Sequence, residues 1–124
     1  MYVRYNANPL QANAGDCVIR AISKATQKKW NDVYAELSVK GYAAKDWGNS
    51  NHVWDAYLRD LGYVRKVIPN TCPDCYTVRQ FADDHPNGKY ILATGSHVVA
   101  VIDANYFDTW DSGNEVPIYY YEYR

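Results

Sequence analysis

Three side chains could together carry out nucleophilic catalysis: Cys17, His97 and one of the aspartates that follow His97. A thiol attacks a carbonyl carbon as the thiolate, so a catalytic cysteine needs neighbours that lower its pKa. Asp16 and the apolar residues after it predict a helix over about 17–25, with Asp16 as its cap. Cys17 would then lie in the first turn, where the helix dipole and free amides favour the thiolate. The alternative interpretation is a small buried side chain on the apolar face.

The segment QANAGDC, which ends at Cys17, resembles a known family. Papain-like cysteine peptidases have a glutamine about this far before the nucleophile. The bacterial peptidases that cleave double-glycine leader peptides have Gln, four residues, then Asp-Cys, and Gln11, Asp16 and Cys17 match that pattern. The resemblance implies that the Gln11 amide and the Cys17 N–H form an oxyanion hole. Asn13 is a competing donor, and a solvated loop amide is the alternative for Gln11.

The second half of the resemblance is the segment GSHVVAVIDANYFDTWDSGNE. A histidine begins an apolar strand, a tight turn follows, and a second strand ends in Asp-Ser-Gly. Papain-like enzymes place His and then Asn or Asp on adjacent strands, so the resemblance implies that His97 is the base; a structural histidine is the alternative. Val18 departs from the glycine that follows the nucleophile in many relatives, so substrate subsites are not transferred. The segments HVVAVID and YFDTWDSG are also similar to small proteins of bacteriophages and their hosts.

The acid that orients His97 depends on the register of the predicted hairpin. Residues 103–105 fit a three-residue loop, with an asparagine that tolerates the left-handed conformation. Counting outward from that loop pairs His97 with Asp111, whereas Asp108 pairs with Ala100 on the opposite face. The prediction is therefore Asp111, and a two-residue loop would change it.

Four helices are predicted before the sheet begins. They cover about 17–25, 30–41 and 50–61, followed by a short helix that starts at a Thr77–Gln80 capping box. Strands rich in β-branched and aromatic residues follow over 90–94, 97–102, 106–111 and 116–123, as a closing antiparallel meander, and a weaker early strand lies near 63–68. Helices first and sheet last predict an α+β fold, with N-terminal helices packed on a C-terminal antiparallel sheet, in a single domain over 1–124. The resemblance implies that this fold is papain-like.

Cys72 and Cys75 form a CxxC that could hold zinc or cycle as a dithiol. A structural zinc site needs four ligands, and with Cys17 committed only His52 and His85 are spare. A thioredoxin-like role would need a surrounding βαβ unit, which the pattern does not predict. The simplest interpretation is a proline-containing turn with two incidental thiols, so neither a metal nor a cofactor is expected.

Charge and composition limit the classes of molecule that this protein is expected to bind. Thirteen basic and 14 acidic residues give a net charge of −1, which provides no overall attraction to nucleic acid or an anionic membrane. The terminal IYYYEYR alternates between a core face and a half-exposed face, so it does not require stacked bases. The N-terminal residues do not resemble a signal peptide, and three sparse cysteines indicate a reducing compartment, so we expect a cytoplasmic protein with a peptide or protein substrate.

These observations predict a cysteine hydrolase of peptide, isopeptide or related amide bonds. Cys17 would attack the carbonyl, His97 would carry the proton and Asp111 would orient the imidazole, while Gln11 would stabilise the oxyanion. Acyl transfer to another nucleophile is an alternative reaction. A catalytically silent binding protein with the same fold, such as a phage factor that sequesters a host component, is the alternative function.

Overall fold

A six-stranded mixed sheet lies at the centre of the computed structural model, which describes residues 1–124. The helices are α1 (Cys17–Thr26), α2 (Trp30–Ala44), α3 (Asn51–Asp60) and α4 (Val78–Asp84). The strands are β1 (Tyr2–Arg4), β2 (Tyr63–Val67), β3 (Lys89–Ala93), β4 (Val98–Ile102), β5 (Asn105–Asp108) and β6 (Tyr119–Tyr123). Their order across the sheet is β1-β5-β4-β3-β6-β2. This architecture confirms the predicted α+β class.

The helices lie close to their predicted positions, with one difference in α2. The prediction that α2 ends near Gly41 is wrong, since the helix continues to Ala44 and the left-handed residue that ends it is Lys45, with φ 59°. Gly41 instead allows a close approach, because a Cβ atom there would lie 2.6 Å from the Asp46 carbonyl oxygen. None of the four helices is both long and apolar enough to cross a membrane.

The sheet departs from the predicted meander at both ends of the chain. Strands β3, β4 and β5 form the expected antiparallel run, but β6 returns to the far side of β3 and pairs with β3 and β2. Between β3 and β2, the β6 residues Tyr119 and Tyr121 pack on Trp54 of α3. The N-terminal arm, predicted to be irregular, forms β1 and pairs in parallel with β5. The sheet is therefore mixed, and the prediction of a purely antiparallel sheet is wrong.

Each face of the sheet has its own hydrophobic cluster. Helices α1, α2 and α3 pack on one face around Ile22, Leu58 and Tyr121, and α4 packs on the other around Phe81. Strand β6 contributes Tyr119 and Tyr121 to the first cluster and Tyr120 to the second, so the predicted alternation is confirmed. Because α1 packs on β4, the N-terminus of α1 and the start of β4 come together at one end of the sheet.

Candidate active site

Cys17 and His97 meet where α1 and β4 begin. Cys17 is the first residue of α1, His97 immediately precedes β4, and both line one cleft, where the imidazole is close enough to lower the pKa of the thiol. The thiol is partly exposed, as a nucleophile must be. No side chain caps the N-terminus of α1, so no capping side chain accepts from the N–H groups of its first turn, where the helix dipole is positive. The structure thus brings together the two residues that the sequence predicts as nucleophile and base.

Asp16 precedes Cys17 but does not cap the helix, which corrects the prediction. Its carboxylate accepts a hydrogen bond from Arg20 Nη1 at 2.6 Å and another from Trp30 Nε1 at 2.8 Å. Both oxygens are turned to these partners and neither accepts from an amide of the first turn. The N–H groups of the first turn are therefore not occupied by this carboxylate.

Asp108, not Asp111, is the acid that binds His97. Its Oδ2 lies 2.5 Å from His97 Nε2, and the same oxygen accepts from Ser112 Oγ at 2.7 Å. Asp111 is wrongly predicted for this position, because its side chain is 51% exposed and accepts from the Tyr106 hydroxyl at 2.7 Å. Since Asp108 occupies Nε2, the ring nitrogen that remains for Cys17 is Nδ1.

The physical reason for this difference is the length of the hairpin loop. Ile102 pairs with Asn105, so the loop contains only Asp103 and Ala104, with φ of 48° and 70°. Such a loop closes when both central residues are left-handed, a conformation usually taken by glycine or asparagine. Asp103 is held there by a contact distant in sequence: its carboxylate accepts from the Gly88 N–H at 2.9 Å.

The paired stretch of this hairpin also ends before the site begins. The last pair between β4 and β5 is Ala100 with Phe107. His97 and Asp108 lie just beyond that pair, and the observed register continued by one residue sets Asp108 opposite Val99, which shares a strand face with His97. The wrong acid was therefore predicted because a three-residue loop pairs Asp108 with Ala100, on the opposite face.

Arg20 is a residue of this site that the sequence analysis missed. Its guanidinium is buried, with 6% of the residue exposed, and its Nη2 lies 2.9 Å from Asp108 Oδ1, while Nη1 binds Asp16. The guanidinium bridges the two carboxylates with one charge-assisted hydrogen bond to each, and it holds Asp108 by Oδ1. Arg20 thereby turns the second oxygen of Asp108 toward His97. The spacing of four residues between Asp16 and Arg20 is the sequence signal that could have indicated an ion pair.

Trp110, also not identified from the sequence, covers the imidazole. The ring centroids of Trp110 and His97 are 5.0 Å apart, with the planes tilted by 40°. An indole over this ring keeps water away from the hydrogen bond between His97 and Asp108, and a drier surrounding strengthens that bond.

These contacts favour an imidazolium beside a thiolate. Burial by itself lowers the pKa of His97, but hydrogen bonds to Asp108 and Cys17 outweigh it and raise that pKa to about 9. Burial raises the pKa of the Cys17 thiol, yet its hydrogen bonds to His97 and the Val98 backbone, with the charges of His97 and Arg20, bring it below its ordinary 9.0. At neutral pH His97 is therefore protonated, beside a thiol whose pKa lies below its ordinary value.

Gln11, the predicted oxyanion donor, lies outside the site. Its Nε2 donates to the carbonyl oxygens of Asn6 at 3.1 Å and Asn8 at 3.0 Å, within its own loop. Gln11 is exposed, with a left-handed φ of 54°, and it is not among the residues that line the cleft around Cys17. Asn13, the competing donor, does line that cleft. The free N–H groups of the first turn of α1 remain as donors.

This placement predicts that Gln11→Ala changes the acylation of Cys17 less than about twofold, whereas loss of a working oxyanion donor costs roughly a hundredfold or more. The measurement is the burst of p-nitrophenolate released when p-nitrophenyl acetate acylates the thiol. Asn13→Ala is the matched amide variant inside the cleft. A hundredfold loss in Gln11→Ala alone would return the oxyanion role to Gln11.

The cleft around these groups has a volume of about 450 Å³. Its walls are the segment 13–18, the segment 93–98, and the pair Thr109 and Trp110, with Trp54 and Tyr119 beside them. This is within the size range of small-ligand sites, and the cleft is open to solvent, as a site for an extended chain needs to be.

The remaining cysteines and histidines lie elsewhere. Cys72 and Cys75 form a disulfide in the loop between β2 and α4, so the prediction of two incidental thiols is wrong. His52 binds the Asp46 carboxylate at 2.6 Å, and His85 stacks on Phe81 with centroids 3.7 Å apart. No group of three or more His, Cys, Asp or Glu side chains could hold a metal ion.

No protein-family model matches the chain, and no curated protein or solved structure matches it. The chemistry assigned to this cleft therefore rests on its own geometry.

Proposed function

We propose that this protein is a papain-like cysteine hydrolase that cleaves a peptide, isopeptide or related amide bond. The observation that carries the proposal is the placement of Cys17 and His97 on one open cleft, with the Asp108 carboxylate 2.5 Å from His97 Nε2. Nucleophile, base and orienting acid within hydrogen-bonding reach of one another are the arrangement that acyl transfer requires.

In the proposed reaction the Cys17 thiolate attacks the carbonyl carbon and a C–S bond forms. Negative charge moves to the carbonyl oxygen, where the free N–H groups of the first turn of α1 stabilise it. His97 gives its proton to the leaving nitrogen, the C–N bond breaks, and an amine departs from a thioester. His97 then takes a proton from water, the hydroxide attacks the thioester, and the acid leaves as the thiolate is restored. An amine in place of that water would give acyl transfer.

The alternative function, a catalytically silent binding protein, is favoured by one observation. The glutamine expected to stabilise the oxyanion donates to its own loop. A chain that had lost turnover could keep the cleft and use it to bind a protein. The reactivity of Cys17 separates the two functions, because a binding protein has no need of an ionised thiol.

The pH dependence of Cys17 alkylation tests the proposal. The active form has His97 protonated and Cys17 ionised, so iodoacetamide should react from a pH well below the ordinary thiol pKa of 9.0. The alkylation rate of Cys17 should change a second time near pH 9, because His97 loses its proton there and the thiolate loses the neighbouring positive charge. At pH 6 we expect Cys17 to react at least about tenfold faster than glutathione. The measurement is the rate of Cys17 carbamidomethylation by mass spectrometry of the intact protein.

His97→Gln is the control, because it keeps a polar side chain of similar size without a titratable ring. In this variant the rate of Cys17 alkylation should rise with pH in a single step near the ordinary thiol pKa. If the wild-type protein already shows only that step, the hydrolase proposal fails and the binding protein is favoured.

The predicted cytoplasmic location and the peptide or protein substrate belong to this proposal. A hydrolase of this type needs no metal or cofactor, since Cys17 supplies the nucleophile and His97 carries the proton transfers.

A further inference from the structure

Ser112 is a buried residue of the candidate active site to which the proposed reaction assigns no role. It is fully buried, and its hydroxyl donates to Asp108 Oδ2 at 2.7 Å. His97 Nε2 lies 2.5 Å from the same oxygen. The second oxygen, Oδ1, accepts from Arg20 Nη2 at 2.9 Å and from the Thr109 N–H at 2.8 Å. Four donors therefore surround this carboxylate, and two of them share Oδ2.

The start of α4 holds the segment that carries Ser112. The Arg79 N–H donates to the Gly113 carbonyl oxygen at 3.0 Å, and the Val78 N–H donates to the Glu115 carbonyl oxygen at 2.9 Å. These two bonds come from N–H groups that have no partner within their own helix. The helix on the opposite face of the sheet thus fixes the backbone on which Ser112 reaches Asp108.

Two donors that share one oxygen weaken each other's bonds. A protonated imidazole is a charged donor, and it draws more electron density from Asp108 Oδ2 than a neutral imidazole does. The bond from Ser112 is therefore stronger when His97 is neutral. It follows that the hydroxyl stabilises the neutral form of the ring more than the imidazolium.

Asp108 stays ionised in both forms of His97. Burial by itself raises the pKa of the Asp108 carboxyl, but the hydrogen bonds from His97 and Ser112 bring it below its ordinary 3.8. The proton that His97 loses therefore does not come to rest on Asp108. The hydroxyl of Ser112 acts on the acid strength of the imidazolium.

We propose that Ser112 is a positioning residue that shares Asp108 Oδ2 with His97 and so lets the imidazolium give up its proton more readily. The use of this effect rests on the proposed function, in which His97 passes a proton to the leaving nitrogen. A general acid is most efficient when its pKa lies near the working pH. The pKa of His97 is already about 9, so a firmer bond to Asp108 would make the ring a poorer proton donor at neutral pH.

The other groups around this pair stay in place when the hydroxyl is removed. The charged and titratable groups that face it are Asp16, Cys17 and Arg20 at the start of α1, with Tyr2 and Tyr5 at β1. Arg20 and Thr109 hold Oδ1 without help from Ser112. A change in the titration of His97 would therefore report the loss of the hydroxyl itself.

Ser112→Ala tests the inference through the titration of His97. Its midpoint should rise from about pH 9 by about half a pH unit or more, because only the part of a hydrogen-bond energy that differs between the two forms of the ring appears in the shift. The measurement is the pH dependence of the His97 imidazole NMR signals in isotope-labelled protein. Ser112→Gly removes the same hydroxyl and should shift the midpoint in the same direction.

The matched control is Ser23→Ala. Ser23 is also buried, with 3% of the residue exposed, but its hydroxyl has no hydrogen-bond partner. Its removal should leave the midpoint of His97 unchanged. An equal shift in the two alanine variants would overturn the inference, and so would a shift in only one of the two Ser112 variants.

The direction of the shift and the iodoacetamide rate separate the remaining outcomes. An unchanged or lower midpoint in Ser112→Ala would overturn the inference, since a lower midpoint means that the hydroxyl strengthens the hold of Asp108 on the imidazolium. The reactivity of Cys17 tests the proposed function independently. If Cys17 reacts no faster than an ordinary thiol while the midpoint still rises in Ser112→Ala, the hydrolase proposal fails and the sharing of Oδ2 stands.

Discussion

Arg20→Met is expected to lower the free energy of unfolding by about 3–5 kcal/mol, the cost of breaking a buried ion pair by removing one partner. The guanidinium is the shared partner of Asp16 and Asp108, and all three residues are buried. Methionine fills similar volume without charge, so Asp16 would remain in the interior without a cation and Asp108 would keep only His97. Urea denaturation with linear extrapolation measures the loss without adding salt that screens charge.

Arg59→Met provides a matched control on the protein surface. Arg59 also pairs with an aspartate four residues before it, Asp55, but its side chain is 55% exposed. Solvated pairs of this kind contribute roughly 0–1 kcal/mol, so the variant should unfold close to the wild-type protein. Equal losses in the two arginine variants would show that the buried network does not stabilise the fold in the way described.

Asp108→Asn is expected to slow the alkylation of Cys17 at pH 6 by roughly ten- to a hundredfold. The Asp108 carboxylate is a main reason that the pKa of His97 rises to about 9. Without that negative charge the imidazole loses its proton nearer neutral pH, and the thiolate loses the cation that stabilises it. Asparagine keeps the shape of the side chain: its oxygen can still accept from Arg20 and the Thr109 N–H, while its amide nitrogen takes the place of Oδ2 and can donate to Ser112 Oγ, so the site should stay folded.

Asp111→Asn is the decisive comparison, because the sequence predicts Asp111 and the structure places Asp108 at the imidazole. Asp111 accepts hydrogen bonds only from Tyr106 and Gly113, outside the cleft, so its variant should change the rate less than about twofold. The measurement is the rate constant for carbamidomethylation of each variant at pH 6. Urea midpoints verify that both variants are folded. A larger effect in Asp111→Asn than in Asp108→Asn would overturn the assigned acid.

The sequence by itself determined the features that depend on local patterns. Apolar spacing after Asp16 located α1 and therefore put Cys17 in its first turn. The Thr77–Gln80 capping box predicted the start of α4, and both of its hydrogen bonds are present. A strand after His97 followed from β-branched composition. Each of these signals is contained within about ten neighbouring residues, so no distant contact was needed to read it.

Only the tertiary structure decided which polar side chains meet. The two-residue loop of Asp103 and Ala104 sets the register, and Asp103 in that loop accepts a hydrogen bond from Gly88, 15 positions earlier in the chain. Asp108 is joined to Arg20 across 88 positions of the chain. The Gln11 amide found acceptors in its own loop, where the family pattern implied a role in the cleft. The choice among several nearby carboxylates and amides depends on small differences in backbone direction and on partners far along the chain, and local propensity carries no information about either.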